Sequence, residues 1–216
     1  MKKFLFVLVC AISTLTTSAQ YASDASRSFF STKKSDQSVT LGIRGGLNIA
    51  NLTISEDGYD LSLKDNVGFN IGVCVDIPMM ESLYLQSGLY YTVKGSKEED
   101  GDLEVKYTPS YLEIPILVSY RYNFSDFTQL QVNFGPYIAY GIGGKWKKEY
   151  EGETEEGDFF DDSIKKFDAG LAFGAGITLG HVYVGVNYDL GLTNIAKDSD
   201  SSIKNRCFSI NVGYNL

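Results

Sequence analysis

A two-residue period that keeps returning constrains this chain more than any other feature. Val39, Leu41, Ile43, Leu47 and Ile49 share one parity, while Thr40, Gly42, Arg44, Gly46 and Asn48 share the other. Such alternation is that of a β-strand whose two faces meet different surroundings. It recurs over 69–77, 83–94, 111–122, 129–143, 167–180, 182–193 and 206–216, which makes about eight strands. The final residue, Leu216, still belongs to the apolar parity with Phe208, Ile210, Val212 and Tyr214, so the last strand is expected to close a sheet against the first.

The amino end supplies a compartment. Two lysines, an apolar run from Phe4 to about Leu15 and small residues at Thr17 and Ala19 make residues 1–19 a secretory signal peptide. Residues 20–37 are polar and read as a flexible periplasmic segment, leaving 38–216 as the folded domain. Past the signal, no apolar run reaches the ~18–20 residues of a membrane-spanning helix. With 15 tyrosines, 13 phenylalanines, 22 glycines and only 4 prolines, the composition suits an all-β domain.

Loop lengths alternate too. The connections around "PMME", "NFSDF" and His181 are short, whereas 51–66, 95–108, 144–166 and 194–205 are long, polar and acidic. Short turns on one edge and long loops on the other are the layout of a transmembrane β-barrel, turns in the periplasm and loops outside the cell. Eight antiparallel strands crossing the outer membrane of a Gram-negative bacterium are therefore expected. The candidate aromatic girdles are Tyr120, Tyr122 and Tyr214 on the periplasmic side, with Tyr91, Tyr140 and Phe167 on the outer side.

The opposite parity carries Arg44, Asp76, Lys94, Glu113, Asp168 and Asp189 among many glycines and amides, which suits a narrow polar lumen rather than a dry core. These six residues are expected to form a charge network, with Arg44 at the depth of Asp189 and drawing on Asp76, and Lys94 neighbouring Glu113. Tyr84, Tyr90, Tyr137 and Tyr183 share that parity and should fill the same space.

The segments "SYLEIPILVSYRY", "NFGPYIAYGIGG", "FDAGLAFGAGI" and "YDLGLTNI" occur in that order within residues 40–216. Together they resemble the PorT-like outer-membrane β-barrel family of Bacteroidetes. The resemblance implies an eight-stranded outer-membrane barrel of a family whose roles are mostly uncharacterised, a few relatives being linked to secretion and gliding machinery.

Signals for chemistry are sparse. The only histidine, His181, lies in the shortest turn on the expected periplasmic edge, away from the outer rim where a base would serve a hydrolase. Cys74 and Cys207 face the lumen on strands two apart, too far for a disulfide, and neither cysteine nor histidine spacing supports a zinc site. The glycines of "GLAFGAGITLG" share lumen parity and precede no helix, so they are not a nucleotide loop. Pro115 falls inside a strand on lumen parity, where a kink or bulge is expected. No catalytic residue, metal ligand or cofactor is assigned.

A net charge of −8 disfavours nucleic acid. The acidic loops read as solvated surface, with divalent bridging to lipopolysaccharide as the sharper alternative. Outer-membrane lipids, lipopolysaccharide and the barrel-insertion machinery are the expected partners. Three functional classes stay open: a non-enzymatic structural, anchoring or accessory barrel; a small channel for ions or solutes; and a soluble eight-stranded lipid or ligand carrier with its apolar face turned inward.

Overall fold

The computed structural model describes residues 38–56, 59–100, 103–125, 127–150, 153–161, 163–197 and 201–216. The expected signal peptide and the segment 20–37 lie outside these residues.

The described residues form strands β1 (Thr40–Glu56), β2 (Tyr59–Ser62), β3 (Lys64–Pro78), β4 (Leu83–Val93), β5 (Ser96–Asp100), β6 (Leu103–Ser125), β7 (Thr128–Tyr150), β8 (Glu153–Asp158), β9 (Phe167–Leu179), β10 (Val182–Gly191) and β11 (Ser201–Asn215). Eight of them pair antiparallel in a closed ring, β1–β11–β10–β9–β7–β6–β4–β3 and back to β1. The closing ladder between β1 and β11 runs from Gly42 opposite Asn215 to Glu56 opposite Ser201. Closure leaves the membrane-spanning wall without an edge, the condition lipid imposes on a sheet.

The wall turns its apolar parity outward. Val67, Ile71, Val73, Val118, Val132, Phe134 and Val212 are each about half exposed or more. Arg44, Asn48, Asp76, Gln86, Asp168 and Asn211 are buried on the other face. An outside more apolar than the inside is the pattern of a barrel solvated by lipid.

The strands reverse at one edge through short connections: 79–82 between β3 and β4, one holding Phe127 between β6 and β7, and the two residues Gly180 and His181 between β9 and β10. Gly180 has φ +61°, the left-handed region that glycine enters without a Cβ penalty. An added Cβ would meet nothing within 4 Å. Gly180→Ala should therefore cost only the backbone term, about 1 kcal/mol, measured as a small fall in the urea midpoint of the refolded barrel. A loss several times larger would show that the turn does more than reverse the chain.

At the opposite edge the segments read from sequence as loops are largely strand. β6 and β7 run for 23 residues each, and β5 and β8 pair with their upper halves, while β2 pairs with the end of β1. Above the membrane the ends of β7 and β8 are exposed on both faces, and the inward residues of β1 and β6 meet a cap rather than a polar bore, so the contrast between lipid and lumen is lost although the ladders continue. Cross-strand charge pairs decorate them: Lys145 Nζ lies 2.8 Å from Glu156, and Lys97 Nζ lies 3.9 Å from Glu104.

Pro115 sits where the ladders are thinned. β4 and β6 pair on either side of it but not at residues 114 and 115, and β6 and β7 skip residues 116 and 117 opposite 135 and 136. Ser87 Oγ donates to the Pro115 carbonyl at 2.8 Å, so a side chain takes over part of the missing backbone pairing.

Candidate functional site

The inward face of the ring collects charge at two levels. On the short-turn side, Asp76 of β3 lies 2.6 Å from Arg121 Nη2 of β6 and 3.9 Å from Arg44 Nη2 of β1. Gln86 of β4 ties the group together, donating to Asp76 at 2.6 Å and accepting from Arg44 at 3.2 Å. The two guanidinium groups stack on tyrosines: Arg44 lies 3.9 Å from the ring centre of Tyr183, and Arg121 lies 4.2 Å from that of Tyr84. Such stacking suits a guanidinium that has given up water on its flat faces.

Nearer the long-loop edge, Lys94 Nζ lies 2.7 Å from Glu113 of β6 and 3.7 Å from Asp189 of β10. The same ammonium sits 4.6 Å from the ring centre of Tyr137. Tyr137 Oη donates to Asp168 at 3.2 Å, and Asn205 Nδ2 donates to the same oxygen at 3.0 Å. Asp168 thus joins Lys94 through a tyrosine rather than by an ion pair of its own. Lys94 follows the last residue of β4, and the ladder sets Glu113 opposite Tyr90, so the lysine reaches the carboxylate by its length rather than by facing it.

The six charged residues expected to make one network therefore divide into two clusters. Arg44 and Asp189 border the same cavity between the clusters, but they take different partners. Hydrogen-bonded rows run across tilted strands, and the row through Arg44 passes Gly213 to Tyr183 rather than to Asp189. Arg121, outside the expected network, shares the inward parity of Glu113, Pro115 and Ser119 and is buried with them. Asn205 fell in a segment read as loop.

The cavity between the clusters measures ≈ 40 Å³ and is lined by polar side chains that include Asn48, Asn70, Asn187 and Ser209. At ~10–15 Å³ for each enclosed water it holds about three. Above the upper cluster the lumen is covered. Leu52, Leu63, Phe159 and Ile195 form a buried apolar cluster, with Tyr107, Phe160, Ile164 and Ile203 packed on it. Phe160 also packs edge-on to the buried Tyr111, ring centres 5.5 Å apart, and so links this cap to the barrel interior. The cap draws on segments expected to be solvated loops; its few apolar residues are scattered over several connections and meet only when the ring closes.

The six girdle candidates all lie on the outward face. Tyr122, Tyr140, Phe167 and Tyr214 are about half exposed, and Tyr140 stands directly opposite Phe167. Tyr91 packs on Phe69 at 5.8 Å between ring centres and donates to Ser110 Oγ at 3.0 Å. Tyr120 is partly buried opposite Leu83. His181 stacks on Tyr214, and its Nδ1 lies 2.9 Å from the Asn215 carbonyl. Cys74 and Cys207 are buried free thiols. Among the described residues no group of three or more His, Cys, Asp or Glu side chains is arranged to hold a metal ion, and no helix is long and apolar enough to cross a membrane.

Comparison with curated proteins finds no match. Among solved structures, the attachment invasion locus protein Ail of Yersinia pestis matches with 18% identity over 83% of this chain and 100% of its own, at a TM-score of 0.43. OprG of Pseudomonas aeruginosa matches with 13% identity over 83% of this chain and 96% of its own, TM-score 0.45. Neisserial surface protein A matches with 10% identity over 83% and 100%, TM-score 0.44. The family described as outer membrane protein beta-barrel domain matches residues 19–197. A closed ring of lipid-facing strands and a match over most of its length make this chain a member of the outer membrane protein beta-barrel domain family, placed in the outer membrane of a Gram-negative bacterium.

Proposed function

We propose that this barrel does not conduct, and that it serves as a structural, anchoring or accessory protein of the envelope without enzymatic activity. The observation that carries this reading is the closed lumen: two clusters of buried ion pairs, a ≈ 40 Å³ cavity between them and an apolar cap above. Eight strands enclose little more than their own inward side chains, and here those side chains are bonded to each other across the bore. What the barrel offers its surroundings is then its lipid-facing wall and the acidic strand extensions it holds outside the membrane. The four segments that resemble PorT-like barrels support an accessory role of this kind, including one beside secretion machinery. Lipids of the outer membrane and the barrel-insertion machinery are the partners this placement implies. A soluble carrier would need the apolar parity inside, and the outward exposure of Val67, Val73 and Val212 speaks against it.

Planar-bilayer recording of the purified, refolded protein tests the proposal. No stable conductance step is expected, and brief rare openings are compatible with rearrangement of the ion pairs. Reproducible long-lived conductance would overturn it in favour of a channel, above all if Glu113→Gln or Asp168→Asn shifted its selectivity, because carboxylates in a wet bore favour cations.

A further inference from the structure

Above Tyr140 and Phe167, the last pair of the β7–β9 ladder, two stretches of chain are stapled together by backbone bonds. Lys197 N donates to Ser163 O at 2.9 Å and Lys165 N to Ile195 O at 2.7 Å, with Ile164 and Ala196 bridged between them. Gly141 N donates to Lys166 O at 2.7 Å, which ties the same stretch to β7. The staple sets Lys165, Lys166 and Lys197 around an open groove of ≈ 750 Å³. Its apolar side is made by Tyr140, Phe167, Phe160 and Ile164.

The charge here runs against the rest of the outer edge. The chain as a whole carries −8, and adjacent β8 presents Glu153, Glu155, Glu156 and Asp158. Among the described residues that line the groove, three lysines face one carboxylate, Asp161. That carboxyl accepts from Ser163 N at 2.8 Å and from Ser163 Oγ, so it is engaged within its own turn. These bonds, with a smaller contribution from Lys197, hold it below the usual carboxylate range. Lys165 spends one of its three donors on the Asn194 carbonyl at 3.2 Å. Lys166 and Lys197 are exposed.

We propose that this groove binds the phosphorylated headgroup of an outer-leaflet lipid, with the lysines on the phosphate and the acyl chains lying down the wall past Tyr140 and Phe167. A soluble anion would use the lysines but has no use for aromatic rings that continue into the lipid-facing surface. An amphiphile uses both, and the groove stands where its two halves meet, ammonium groups just above the outer girdle. Each lysine near an anionic lipid surface strengthens attraction several-fold, so the three together should matter by tenfold or more.

The test is a titration of the full-length barrel, refolded in a zwitterionic detergent, with diphosphoryl lipid A, followed by native mass spectrometry. Dephosphorylated lipid A and inorganic phosphate serve as comparison probes. The parent is expected to bind the diphosphoryl lipid at least about tenfold more tightly than the dephosphorylated one, with inorganic phosphate competing only weakly. The combined variant Lys165→Ala, Lys166→Ala, Lys197→Ala should lose that preference, whereas Lys145→Ala with Lys148→Ala on β7 should keep it. Equal binding of the two lipids, retention of the preference within about twofold in the triple variant, or competition by inorganic phosphate as strong as by lipid would each overturn the proposal. Should the triple variant fail to fold, the parent in about 0.5 M sodium chloride and the single variant Lys166→Gln decide instead. Both must weaken the preference, and a preference insensitive to both overturns the site.

Discussion

Lys94→Met is expected to destabilise the barrel by about 3–5 kcal/mol, seen as a large fall in the urea midpoint of the protein refolded in vesicles. Among the described residues Lys94 is the one cation that Glu113 and Asp189 contact, and its side chain is 1% exposed. Removing it leaves carboxylates facing each other in a bore with little room for water to replace it. The methionine keeps most of the side chain's volume, so the loss reports charge rather than a void. Glu113→Gln should cost much less, because Asp189 still answers the ammonium and the amide still fills the space. That asymmetry is the discriminating result: if the glutamine variant loses as much as the methionine variant, the cluster acts by packing and hydrogen bonds, not by balancing charge. The exposed Lys145–Glu156 pair supplies the control. Lys145→Met should leave the midpoint in place, since water already screens both partners.

How far such a site can be read from a sequence depends on which solvent each face meets. Leu41, Ile43, Val73 and Val212 mark the lipid side, and Arg44, Asp76 and Asn211 the lumen, because hydrocarbon and bore enforce opposite chemistry on alternate residues. Where the strands rise beyond the membrane, water bathes both faces of the end of β7 and a cap replaces the polar bore beneath β6, so the contrast between lipid and lumen vanishes and the extensions look like loops. Parity alone placed Glu113 inside and would have placed Arg121 there too. It could not say that Arg121 and not Asp189 meets the Arg44 cluster, because partners across a closed ring are chosen by stagger and tilt, which no single strand encodes. The cap was harder still. Leu52 and Leu63, Phe159, and Ile195 come from three separate connections and become a cluster only in three dimensions.

The lower cluster carries the opposite imbalance, and it predicts an equally large loss. Asp76→Asn should cost about 3–5 kcal/mol, because Asp76 is the carboxylate that two arginines share, at 2.6 Å and 3.9 Å. Asparagine is nearly isosteric and can still take part in the Gln86 contact, so packing is conserved while the charge is lost. Arg44 and Arg121 would then be two buried guanidinium groups resting on the faces of Tyr183 and Tyr84, whose quadrupoles replace only part of a carboxylate's attraction. Adding Arg121→Met to Asp76→Asn should return a large share of the lost stability, since one surplus cation is removed together with the partner it lacks. A double-mutant cycle reads this directly as a coupling between the two positions. A coupling near zero would mean that Arg121 finds another partner when Asp76 is neutralised and that the bore can rearrange its charges. Rearrangement of that kind would account for brief rare openings, so the cycle and the bilayer recordings bear on the same question from opposite sides: a strong coupling belongs with a silent barrel, and a weak one with a barrel that opens rarely and briefly.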